Sequence, residues 1–144
     1  LHTEIKLTPD GLRLIELNGR LGGRPPFVLQ DVSDVNLFRA AAEVALGGSF
    51  SVSGLARCDG VGYWRMLQPP LGATRVRTVA GLPEVRRAPF VDSVRLSRAP
   101  GDTVDWREGT DGHVMVVRGR APDLDSLSET ITLIDRTVTI AYDG

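Results

Sequence analysis

The chain has 144 residues, 42% of them apolar and 24% charged, with a formal net charge of -1, which is the profile of a globular protein with a core of its own. So balanced a charge excludes a global electrostatic pull toward nucleic acid or membrane, and no apolar run is long enough to span a bilayer. The single cysteine, Cys58, excludes an internal disulfide, and the expected compartment is a reducing cytoplasm.

The chain opens Leu1-His2-Thr3 without a methionine and enters a strand pattern at once, as expected of a piece of a longer protein. His2 to Thr8 and Leu12 to Leu17 both alternate in strand fashion, and Pro9-Asp10-Gly11 between them has turn chemistry, read here as a three-residue hairpin loop. Asn18 to Pro26 is a loop by composition, and Phe27 to Val32 reads as a short helix. Asp34 is placed as the cap of a clearer helix from Val35 to about Leu46, with Phe38, Ala41, Ala42 and Ala45 on one face and Gly47-Gly48 as its stop. A domain boundary is set there, giving 1-48 and 49-144. The second half reads as short strands at Phe50 to Ala56, Tyr63 to Gln68, Arg75 to Ala80, Val91 to Leu96 and His113 to Ala121. A helix follows from about Leu124 to Thr137, with Leu124, Leu127, Ile131 and Ile134 as its apolar stripe. Ser126 and Glu129 have capping-box spacing, and Val138 to Tyr142 reads as a closing strand. The expected class is α+β, a mostly antiparallel sheet with two or three helices.

Chemistry concentrates in the first hairpin. A three-residue loop sets Thr8 opposite Leu12, Lys6 opposite Leu14, Glu4 opposite Glu16 and His2 opposite Asn18, all on one face. Ile5, Leu7, Ile15 and Leu17 fall on the other face and are available to a core. Two carboxylates directly opposed on a sheet repel, so a cation must neutralise them or one must hold a proton. Two carboxylates and an amide carbonyl are hard oxygen ligands suited to Mg2+ or Mn2+. Arg20, next on the same alternation, offers a planar fork to a phosphate, and the Gly22-Gly23 backbone can donate to an anion. The same residues also fit a solvated edge hairpin with Lys6 as partial screen, and spacing alone does not separate the two readings.

The string His2-Thr3-Glu4, followed by Ile15-Glu16-Leu17-Asn18-Gly19-Arg20-Leu21-Gly22-Gly23, resembles the closing strands of the ATP-grasp carboxylate–amine ligases. The His-Thr-Glu strand is most similar to the branch holding L-amino acid ligases and carnosine-synthase-like enzymes. The resemblance implies the C-terminal part of an ATP-grasp fold. It implies Glu4, Glu16 and Asn18 as ligands of the Mg2+ or Mn2+ that bridges ATP phosphates, and Arg20 as the catalytic contact to the transferred phosphoryl group. Asn18, Arg20, Gly22 and Gly23 are then the ATP-binding residues, while His2 either lines the site or flanks it. The implied reaction joins a small carboxylate to an amine through an acyl phosphate. Such enzymes also use a glycine-rich lid and lysines well upstream of this hairpin. Lys6 is the only lysine here, so the expected partner is a missing N-terminal part of the same enzyme, and the chain alone is expected to be inactive. The similarity beyond Ser49 lies only in the pattern of strands and the last helix.

Other residues are set aside on chemistry. Cys58 has no catalytic partner in view. His113 has no second histidine for zinc. Tyr63-Trp64 and Trp106 are read as core or interface packing rather than a substrate pocket. Arg75, Arg77, Arg95, Arg118 and Arg120 are read as a solvated sheet face. The competing class is a non-catalytic α+β module for interaction or dimerisation, with strands able to pair between chains into a homodimer. No nucleophile–base pair supports a small hydrolase.

Overall fold

The computed structural model describes residues 1–51 and 58–144, so the expected strand Phe50 to Ala56 lies largely outside the described residues. The chain divides into two units, Leu1–Cys58 and Asp59–Gly144. The first holds an antiparallel hairpin, β1 (His2–Thr8) and β2 (Gly11–Asn18), then α1 (Pro25–Val32) and α2 (Leu37–Ala45). Prolines at its start favour α1, where their missing N–H costs nothing. The cap of α2 is Asn36, not Asp34: the Asn36 Oδ1 accepts the Arg39 amide N–H at 2.9 Å. Val35 is buried instead of helical, and its amide donates to the Ser33 hydroxyl at 3.2 Å. The helix ends as expected, at Gly47 with a φ of 81°. Phe38 meets Phe27 of α1 with ring centroids 4.8 Å apart.

The second unit contains β3 (Val61–Leu67), β4 (Arg75–Ala80), α3 (Leu82–Val85), β5 (Val91–Leu96), β6 (Met115–Ala121), α4 (Leu124–Thr137) and β7 (Thr139–Asp143). Two 3-10 turns run from Trp106 to Gly112 across a kink at Gly109. One antiparallel sheet has the order β3-β6-β5, and a second pairs β4 with β7. β6 is central and buried along most of its length; its apolar run Met115-Val116-Val117 is fully covered, while Arg118 and Arg120 interrupt the second half. Tyr63, Val85, Met115, Val117 and Ile134 form one core, flanked by Leu127 and Ile131. Ala73, Val76, Val104 and Val114 form another. Leu124 does not join the helix stripe and is exposed. The cap of α4 is Asp123, whose Oδ1 accepts the Ser126 amide at 2.8 Å, so the Ser126–Glu129 spacing is not a capping box. Among the described residues, four α-helices and the 3-10 segment accompany antiparallel strands. None of these helices is long and apolar enough to cross a membrane.

Candidate functional site

The hairpin ladder pairs His2 with Asn18, Thr3 with Leu17 and Glu4 with Glu16. Toward the turn the register differs from expectation. Thr8 pairs with Gly11, Leu7 with Leu12, Lys6 with Arg13 and Ile5 with Leu14. The turn therefore has two residues, Pro9 and Asp10, and Gly11 takes a φ of 106° inside the ladder. The Thr8 hydroxyl also donates to the Gly11 carbonyl at 2.9 Å. The extra residue is absorbed by a bulge at Ile15, between the Glu4 and Ile5 positions. Leu14-Ile15, two adjacent apolar residues in an alternating strand, is the trace of that slip in the sequence.

The bulge redistributes the faces. His2, Glu4, Glu16 and Asn18 share one face, and Lys6 with Arg13 continues it. Arg13 was not among the expected site residues; it brings a second cation next to the Glu4–Glu16 pair. Leu12 and Leu14 move to the apolar face with Ile5, Leu7 and Leu17. That face was expected to pack into a core, yet the hairpin leucines and isoleucines are 56–79% exposed. Nothing described in the first unit covers them.

On the polar face, Glu4 and Glu16 stand in solvent while His2 and Asn18 are half-buried. His2 Nε2 lies 3.8 Å from Glu4 Oε1, and among the described residues no cation pairs with Glu16. His2 Nδ1 and Asn18 Nδ2 are buried with no hydrogen-bond partner. Arg20 is exposed, and its Nη1 donates to the Leu21 carbonyl at 3.0 Å, leaving other guanidinium donors available. With Gly19 and Leu21 it edges a cavity of about 540 Å³ walled by Leu37, Ala40 and Val44 of α2. Gly22 lies against the His2 ring, whereas a Cβ on Gly23 would meet nothing within 4 Å.

Among the described residues, no three His, Cys, Asp or Glu side chains converge as a metal cage. The hairpin instead offers two carboxylates and an amide carbonyl. That donor set suits Mg2+ or Mn2+, which keep waters and phosphate oxygens as their remaining ligands. The unpartnered polar atoms of His2 and Asn18 add unspent hydrogen-bonding capacity at the same place. The oxygen donors of Glu4, Glu16 and Asn18 are of the type that such an ion takes.

The residues set aside are structural or solvent-facing. His113 is buried, with Nδ1 2.8 Å from the Thr110 carbonyl. Cys58 is exposed with a free thiol, its backbone bridged to Ser33. Trp106 is 47% exposed and so not part of the core, with the Arg107 guanidinium 5.8 Å from its ring centroid. Tyr63 is core, as expected.

Neither a protein-family model nor a curated sequence matches the chain. Solved structures do match. The crystal structure of an L-amino acid ligase from Bacillus licheniformis superposes with a TM-score of 0.82, at 20% identity, over 99% of this chain and 36% of its own. The chain has the fold of part of an ATP-grasp ligase. Phosphoribosylglycinamide synthetase from Anaerococcus prevotii shows the same ATP-grasp architecture with a TM-score of 0.70, at 14% identity, over 98% of this chain. In each case the chain spans only 36% of the matched enzyme.

Proposed function

We propose that the chain is the C-terminal, cation- and phosphate-holding end of an ATP- and Mg2+-dependent ligase that joins a carboxylate to an amine in the cytoplasm. One observation carries this reading: the hairpin pairs Glu4 with Glu16 and His2 with Asn18 on a single face that leads through Arg20 into Gly22-Gly23. The setting supports it, since the fold is shared with an L-amino acid ligase and a phosphoribosylglycinamide synthetase.

Glu4, Glu16 and the Asn18 carbonyl would hold the divalent ion, which when bound supplies charge neutralisation at the phosphate oxygens. Arg20 turns its free donors to the transferred phosphoryl group, and the Gly22 and Gly23 amides add neutral donors beside it. In the reaction, a carboxylate oxygen bonds to the γ-phosphorus of ATP and the bond to ADP breaks. The amine nitrogen then bonds to the acyl carbon, phosphate leaves, and the amine proton passes to solvent. These residues contribute position and charge and no nucleophile. Half of such a clamp has negligible activity, and the remainder of the same enzyme, with its lid and lysines, is the proposed partner. The bare apolar face of the hairpin is where that remainder would sit.

The test is the intact enzyme beside its Glu16→Ala variant. ATP-dependent ligation should fall on the order of a hundredfold, the scale for losing one preorganised charge-stabilising group. Undiminished ligation in the variant ends the assignment. The same apolar face also favours a second reading, a non-catalytic module that dimerises through it. Light scattering of the chain across a concentration series separates the two: a stable dimer supports the module.

A further inference from the structure

Of His2, Glu4, Glu16 and Asn18, His2 is the one without an assigned task. Its side chain is 23% exposed, less than half the value for Glu4. Three neighbours fix the ring. Asn18 faces it across the ladder. Along its own strand, Glu4 Oε1 lies 3.8 Å from Nε2. On its remaining flank sits Gly22, where a Cβ would fall 2.8 Å from the ring Cδ2 and 3.1 Å from Nε2. Gly22 is not among the glycines with positive φ, so its backbone admits any residue. The imidazole is what excludes a side chain there.

We propose that His2 is a positioning residue: its ring, wedged on Gly22, holds the Gly22-Gly23 turn at a fixed spacing from the Glu4 carboxylate. The phosphate-facing backbone and the cation-facing carboxylate are thereby set by one rigid group. Gly22 is small because this wedge needs the room. The role rests on the cation-site reading above, whereas the wedge is a property of the chain itself.

Two measurements on the 144-residue chain test it. In the metal-free protein, Gly22→Ala should shift the His2 imidazole nitrogen resonances, while Gly23→Ala, a change into open space, should leave them in place. Unmoved His2 resonances in Gly22→Ala overturn the wedge. Mn2+ titrated alone, followed by paramagnetic broadening and electron spin resonance, should bind about tenfold more weakly to His2→Ala and to Gly22→Ala, the lower end for a lost ligand-orienting partner. The double variant should lose no more than either single one, because the alanine at 22 then has nothing to strike. Unchanged melting temperatures in the variants keep this separate from unfolding. Additive losses, or full affinity in His2→Ala while Glu16→Ala loses it, overturn the positioning role and leave the cation site standing. Absence of Mn2+ binding in the unaltered chain overturns the cation site and the positioning role together, with the wedge still readable in the metal-free spectra.

Discussion

Phe90 holds a φ of 61°, a left-handed backbone that a bulky side chain resists. Its carbonyl accepts from the Tyr63 hydroxyl at 3.0 Å and lies over Gly119, where a Cβ would strike both Phe90 O and the Tyr63 ring. The three residues interlock across the β3-β6-β5 sheet where β5 begins, with Gly119 of β6 paired to Tyr63 on one side and Val91 on the other. Burial, with the Asp92 charge second, pushes the Tyr63 phenol up to about 12. The folded chain thus keeps a proton that the unfolded chain releases near 10, the ordinary tyrosine value. Stability from this group is intact below pH about 10 and is lost as pH rises from about 10 to about 12. Urea unfolding across that range should show the fall, and Tyr63→Phe should flatten it. Gly119→Ala should destabilise the second unit by about 1–3 kcal/mol or more, the range for forcing atoms into a packed site, measured by urea unfolding at neutral pH.

The helix caps make the next prediction. Asn36→Ala removes the acceptor for the Arg39 amide and should cost the first unit about 1 kcal/mol, read from the loss of α2 helicity on thermal scans. In α4, the Ser126 amide holds the Asp123 carboxyl below the usual range, so that cap is present above the ordinary carboxylate pKa and fades as pH falls through the lowered value. Element positions were largely legible in the sequence: β4 and β5 coincide with the expected spans and α4 with its bounds, because alternation, Pro-Gly punctuation and a 3.6-residue stripe are local signals. The caps were not, since Asp34 and Asn36 are both good caps, and the burial of Val35 favours the second. The four-residue α3 left no stripe to see. At the hairpin, Glu4–Glu16 and His2–Asn18 were legible despite a misread turn. A shorter loop and the Ile15 bulge offset each other, so the error was confined to the tip and hid Arg13.

Across the whole chain, burial is uneven. Asp59–Gly144 contains its own cores, whereas the hairpin of the first unit leaves one face of leucine and isoleucine bare. Such a face marks an interaction surface, and under the proposed function the remainder of the same protein covers it. Leu14→Glu should therefore cost this chain within about 0.5 kcal/mol, as at an exposed site, yet destabilise the longer protein of the proposed function by about 2–5 kcal/mol if its remainder covers the face. Equal unfolding midpoints for the two intact proteins would count against that cover. The doubly covered strand β6 has a separate consequence. Its amides should exchange with heavy water only through global opening of the second unit, while those of the hairpin exchange through local fraying. The part proposed to handle phosphate is thus the part most readily deuterated, and a shared uptake rate for both regions would show that the two are coupled more tightly than their burial implies.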